Sequence, residues 1–120
     1  MNTKPLLLAF LFFFSSFVSA QEPEVKKDYW GNGNLKSEKH FKDGKLEGPR
    51  TRWYKTGQKK SEYHYKAGKM HGPWTKWHKN GKKKSEGHYK DGQIDGLMTW
   101  WYETGEKKWQ GHFVDGKKQD

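Results

Sequence analysis

Four histidines, His40, His64, His88 and His112, recur every 24 residues, and His71 and His78 bring the total to six. Imidazoles in such a column suggest a metal site. Zinc requires each ligating nitrogen at ~2.0–2.1 Å. On equivalent strands of a sheet, with one strand between them, neighbouring histidines of the column would stand ~9–10 Å apart. Parallel side chains do not converge across that gap, so the column reads as exposed repeat consensus and no metal is expected. A second column, Glu38, Glu62 and Glu86, suggests carboxylate chemistry. Lys36, Lys60 and Lys84 accompany it, and nearby cations lower a carboxyl pKa, which opposes a general-acid role. Ser37, Ser61 and Ser85 fall on the strand face opposite the histidines, so no Ser–His couple forms locally. There is no cysteine. Thiol catalysis, cysteine-based zinc sites and disulfides are therefore excluded. The glycines follow turn spacing rather than a phosphate or dinucleotide loop. No enzyme and no cofactor is expected.

The basic residues are the stronger lead. Lys59 and Lys60, Lys82, Lys83 and Lys84, and Lys107 and Lys108 each follow a turn glycine. In a stack they would form one positive stripe. Such a stripe confers solubility and discourages edge-to-edge sheet pairing. It also attracts anionic surfaces: lipid headgroups or envelope polymers. Trp74, Trp100 and Trp109 break the repeat consensus, so they join the lysines as the candidate interaction surface. Lysines interleaved with aromatics also suit single-stranded nucleic acid, but the export pattern described below argues against that partner.

The elements that must position these residues follow from the period. Gly33, Gly57, Gly81 and Gly105 form one register, Gly44, Gly68, Gly92 and Gly116 a second, and Gly48, Gly72 and Gly96 a third. A fixed period in this range denotes a repeat architecture. Asn-Gly and Asp-Gly pairs favour tight hairpins. The spacing leaves two strands of roughly 5–8 residues per repeat and no room for a helix. The expected fold is all-β: an elongated single-layer stack of antiparallel hairpins. Pro49 and Pro73 would block a continuous central strand, so the second strand is expected to begin after them. Alternation puts Lys60, Glu62, His64 and Lys66 on one face, with Ser61, Tyr63 and Tyr65 on the other. Aromatic rings on successive strands would form a ladder at ~4.8 Å. Copies begin at Tyr29, Trp53, Trp77 and Trp101, the last incomplete, giving a repeat domain over 29–120.

Residues 1–20 differ from the rest. Lys4 precedes an apolar run from Leu6 to Phe14, and Val18-Ser19-Ala20 ends it with small residues. This is the pattern of a secretory signal peptide cleaved after Ala20. Residues 21–28 lack a pattern and read as a short flexible lead. Loss of Lys4 takes the net charge from +10 to +9. A periplasmic or extracellular location is expected.

The stretch from Glu86 to Gly105, EGHYKDGQIDGLMTWWYETG, resembles a MORN repeat. More narrowly it is similar to the variant repeat of bacterial YwqK-type antitoxins. The resemblance spans Tyr29 to Asp120. Its first glycine is present at Gly87 and Gly111, whereas Lys39 and Tyr63 hold that column earlier, so the first two copies are expected to pack differently. The resemblance implies hairpin stacking and roles in protein contacts or membrane association, with no shared catalytic site. An antitoxin acting on a cytosolic toxin would stay in the cytosol, which the export pattern opposes. The expected function is an exported scaffold for protein–protein interaction. The alternatives are peripheral binding to an anionic membrane or envelope polymer, and an antitoxin-like neutralising partner.

Overall fold

The structure, a computed structural model, describes Thr3 and residues 22–120. Apart from Thr3, the expected signal peptide lies outside the described residues. From Glu24 onward the chain forms a single antiparallel sheet of eleven strands. The first four strands are β1 (Glu24–Tyr29), β2 (Leu35–Lys42), β3 (Lys45–Trp53) and β4 (Lys59–Lys66). Then come β5 (Lys69–Met70), β6 (Gly72–Trp77), β7 (Lys83–Lys90) and β8 (Gln93–Ile94). The last three are β9 (Gly96–Trp101), β10 (Lys107–Val114) and β11 (Lys117–Lys118). They lie in the order β1-β2-β3-β4-β6-β7-β9-β10-β11, with β5 on β4 and β8 on β7. The described residues contain no helix.

Within the expected flexible lead, residues 24–28 are part of β1. Glu24 to Asp28 pair residue by residue with Phe41 to Ser37. This strand satisfies the backbone groups of β2 that would otherwise be an open edge. Ser37 Oγ also donates to Asp28 Oδ2 at 3.0 Å.

The second glycine register makes the tight hairpins. Asp43, Ala67, Asp91 and Asp115 have φ of 48–52°, and the glycine after each has φ of 75–85°. Positive φ at both central residues is the type I′ geometry, whose twist matches that of the strands. Successive hairpins are tied together: Gly68 N donates to Leu46 O, Gly92 N to Met70 O and Gly116 N to Ile94 O, at 2.8–2.9 Å.

The prolines lie inside strands rather than before them. Pro49 pairs with His64 and Pro73 with His88. A kink at the preceding glycine makes this possible. Gly48, Gly72 and Gly96 have φ of 87°, 109° and 88°. Opposite His40, β3 carries three residues, Glu47 to Pro49, between the pairs Phe41↔Leu46 and Lys39↔Arg50. The irregularity removes the regular ladder hydrogen bond that proline cannot donate.

The other turns are cross-linked by side chains. Trp30 Nε1 donates to Trp53 O at 3.2 Å, Tyr54 Oη to Trp77 O at 2.8 Å, and His78 Nε2 to Trp101 O at 3.0 Å. Three different side chains in one repeat column thus make the same bond to the next repeat. Asn32 and Asn80 add equivalent bonds to the carbonyls of Lys55 and Glu103. Stacking of this kind lets each repeat stabilise its neighbour where the described residues form no globular core.

Aromatic packing is local rather than a continuous ladder. Tyr63 stacks on Trp74 with centroids 5.8 Å apart and planes 9° apart. Tyr89 closes the cluster at 6.5 Å from Tyr63 and 6.2 Å from Trp74. Trp109 and Phe113 form a separate edge-to-face pair at 6.2 Å. Gly87 makes the central cluster possible, because a Cβ there would lie 2.8 Å from Trp74 Nε1. The glycine column therefore bears directly on how successive copies pack: Tyr63, which holds it in the second copy, stacks on Trp74 from the other side.

Candidate functional site

A bulge recurs at the start of β2, β4, β7 and β10. Arg52 pairs with Ser61 but Trp53 with Lys59, so Lys60 is the extra residue. Lys84 is extra between the pairs Lys76↔Ser85 and Trp77↔Lys83, and Lys108 between Trp100↔Trp109 and Trp101↔Lys107. Lys36 holds the same place between Asp28↔Ser37 and Tyr29↔Leu35. A bulge re-aims the side chains around it. Lys60 thereby leaves the Glu62–His64 face on which alternation puts it.

The expected lysine stripe is thus divided. Lys59 Nζ lies 2.9 Å from Glu62 Oε2, Lys83 Nζ 2.7 Å from Glu86 Oε2, and Lys107 Nζ 3.3 Å from Gln110 Oε1. These lysines are held on the Glu–His face. Lys82 Nζ donates to Thr104 O at 3.1 Å. Lys60 lies over the Tyr54 ring at 5.6 Å, Lys36 over Trp30 at 4.7 Å and Lys108 over Tyr102 at 5.7 Å.

On the opposite face the sheet forms a groove of about 390 Å³. Five cations line it: Arg50, Arg52, Lys60, Lys76 and Lys84. Its aromatic walls are Tyr54, Tyr63, Tyr65, Trp77 and Tyr89, and no carboxylate lines it. Strand pairing explains the assembly. Arg50 stands opposite Tyr63, Arg52 opposite Ser61, and Lys76 between Ser61 and Ser85. Arg50 Nε is buried and has no hydrogen-bond partner among the described residues. Burial raises the Tyr63 phenol above its ordinary pKa and Tyr65 adds to this, while Arg50 and Arg52 pull the other way. Tyr89 is raised by burial and by Tyr63 and Tyr65. Both remain neutral hydroxyl donors at physiological pH. The groove thus combines permanent positive charge, phenolic donors and aromatic surface.

Of the expected surface tryptophans, Trp74 is not on the surface. It is 4% exposed and forms the centre of the aromatic cluster. Its indole is enclosed because Gly87 leaves room beneath it. Trp100 and Trp109 face each other across β9 and β10 and line a smaller cleft of about 190 Å³ with Lys108. Arg50, Arg52 and Lys76 escaped the sequence reading because they belong to no lysine run. The signal was present in the alternation of β3, where Arg50 and Arg52 flank the inward Thr51.

The histidines are braces as much as exposed consensus. His64 Nδ1 donates to Pro73 O at 2.8 Å, and His40 Nε2 lies 2.7 Å from Glu38 Oε1. His71 Nδ1 accepts from Asp91 N at 3.2 Å. Among the described residues no group of three His, Asp or Glu side chains converges on a metal position.

Residues 25–43, 46–67, 70–91 and 94–115 each match the family model for the MORN repeat variant. These matches repeat every 24 residues from the second onward, beginning near the tight hairpins rather than at Trp53, Trp77 and Trp101. No curated protein and no solved structure matches the chain.

Proposed function

The chain belongs to the MORN repeat variant family, and from that premise we propose that it is an exported, non-catalytic scaffold for protein–protein interaction. The observation that carries this reading is the separation of charge across the sheet. Lys59 and Lys83 are paired with Glu62 and Glu86 on one face. Arg50, Arg52, Lys60, Lys76 and Lys84 stand together with aromatic rings, and without a lining carboxylate, on the other. Arginine, tyrosine and tryptophan are the residues that dominate binding energy at protein interfaces. The export pattern of residues 1–20 supports an encounter in the periplasm or the exterior, which separates this reading from a YwqK-type antitoxin acting in the cytosol.

Site-specific photo-cross-linking in the producing cell tests the proposal. A cross-linker replacing Tyr89, on the groove face, should give discrete protein adducts. One replacing Leu97, which is paired with His112 on the opposite face, should not. Equal adducts from both faces, or none from either, would overturn the reading.

The cleft of Trp100, Lys108 and Trp109 supports a second reading, peripheral binding to an anionic membrane. Indole rings beside a lysine suit the headgroup region. A blue shift of tryptophan fluorescence on phosphatidylglycerol vesicles, lost in Trp100→Ala with Trp109→Ala, is its expected mark. Unchanged emission would remove it.

A further inference from the structure

We propose that the groove holds an extended acidic peptide segment, with carboxylates seated on Arg50, Arg52, Lys76 and the bulge lysines; this rests on the protein-scaffold reading above. The first argument is charge. Five cations and no carboxylate line the groove, so its field is uncompensated locally and attracts an anion. The second is the chemistry of the cations. Arg50 and Arg52 are two residues apart on β3 and lie on one face, presenting planar guanidinium groups suited to bidentate carboxylate binding. Arg50 Nε is buried without a partner among the described residues.

The third argument is spacing. Lys60 on β4 and Lys84 on β7 are separated by β6, and Arg52 on β3 and Lys76 on β6 by β4. Two strand spacings amount to ~9.6 Å. Polyproline II backbone advances ~3.1 Å per residue, so carboxylates on every third residue repeat at ~9.3 Å. A peptide running across the strands therefore meets both cation columns in register. The walls supply the rest: Tyr63 brings a hydroxyl as well as a ring, and Tyr54, whose hydroxyl is held by Trp77 O, brings its ring. A recessed groove suits a narrow chain better than a flat bilayer. The large exposed apolar side chains, such as Val25, Leu97 and Val114, do not border it.

Fluorescence anisotropy of the intact chain with a labelled peptide of about a dozen residues tests this, the peptide carrying glutamate at every third position. The peptide should bind, and its glutamine counterpart should not. Arg50→Gln with Arg52→Gln should weaken binding about tenfold or more. Lys59→Gln with Lys83→Gln removes the same charge from the other face and should change affinity by less than about twofold. Should the arginine variant lose its sheet by circular dichroism, Lys76→Gln with Lys84→Gln provides the same test on exposed or half-exposed side chains. Equal weakening by both faces would reduce the effect to net charge and overturn the proposal. So would binding to phosphatidylglycerol vesicles with none to the peptide. Failure of peptide binding with the Tyr89 cross-link intact would overturn the acidic ligand alone; loss of both would take the scaffold reading with it.

Discussion

Lys59 Nζ lies 2.9 Å from Glu62 Oε2, three residues along the same strand. On a regular strand, residues three apart point to opposite faces. The bulge at Lys60 adds the extra residue that brings them to one face. Lys83 and Glu86 repeat the contact at 2.7 Å around Lys84. The bulges at Lys60 and Lys84 thus each sort two consecutive lysines: the first is neutralised beside a glutamate, and the second is released to the cationic groove. The sorting in these two central repeats gives the sheet one balanced face and one basic face from lysines that look equivalent in sequence.

This sorting separates the energetic roles of neighbouring lysines. Lys83→Gln removes a surface pair, and the expected loss is ~0.2–1 kcal/mol, shrinking as salt rises. Deleting Lys84 removes the bulge itself. Either Lys83 is driven to the wrong face or the preceding turn is strained, and the expected loss is roughly 1–3 kcal/mol with little salt dependence. Urea unfolding at low and high salt checks both. A deletion as mild as the substitution would contradict the bulge's role.

Gly87 is constrained by its neighbour rather than by its backbone. A Cβ there would meet Trp74 Nε1 at 2.8 Å and Cε2 at 3.0 Å. Trp74 is buried and stacked on Tyr63, so it cannot yield freely. Gly87→Ala should cost ~1–3 kcal/mol by overpacking. Trp74→Phe should absorb part of that cost, so the two substitutions together should be less harmful than their sum. Additive unfolding free energies in a double-mutant cycle would show that the two residues do not compete for space.

The hairpin stack was legible in the sequence because glycine and Asp-Gly spacing reflects a backbone requirement. Positive φ at Asp43 and Gly44, and at their equivalents, is needed in every copy. What alternation misplaced were Lys60 and Lys84, since a bulge inserts a residue without leaving a distinctive residue type. Pro49 and Pro73 misled for a related reason. The proline rule assumes a regular ladder, whereas the kinks at Gly48 and Gly72 relax it. Trp74 looked like a surface residue because it breaks the consensus, yet Gly87, thirteen residues away, encloses it. The groove was the least legible feature. It joins Arg50 and Arg52 of one repeat to Lys76, Lys84 and Tyr89 further along, and no local pattern encodes that meeting.

Ala67 is the one hairpin position without an aspartate. It adopts φ 48°, as Asp43, Asp91 and Asp115 do at 48–52°. The left-handed region costs a residue with a Cβ, while asparagine and aspartate visit it readily. Glu47 Oε2 accepts from Ala67 N at 2.6 Å, so an added carboxylate would face a like charge. Ala67→Asn should therefore stabilise the chain, by up to ~1 kcal/mol, and Ala67→Asp should gain less. Thermal unfolding of the two variants distinguishes them. A lower melting temperature for Ala67→Asn would show that the Glu47 contact outweighs the backbone strain.

The tyrosines at the groove set an alkaline limit on stability. Burial, reinforced by Tyr65, raises the Tyr63 phenol above its ordinary value of 10.0. Burial together with Tyr63 and Tyr65 does the same for Tyr89. Below pH 10 both phenols are protonated in the folded and unfolded chains, so their contribution is fully present. As pH rises past 10 the unfolded chain releases its protons first. Folding stability must then fall until the raised folded-state values are passed. Tyr63→Phe removes one of these groups and also relieves Tyr89 of a neighbouring phenolate, so its stability should decline less steeply above pH 10. Urea midpoints for the native and Tyr63→Phe chains between pH 8 and pH 11 provide the measurement, with identical slopes as the outcome that excludes coupling through Tyr63. The comparison is specific to the phenols, because every other group is the same in the two chains.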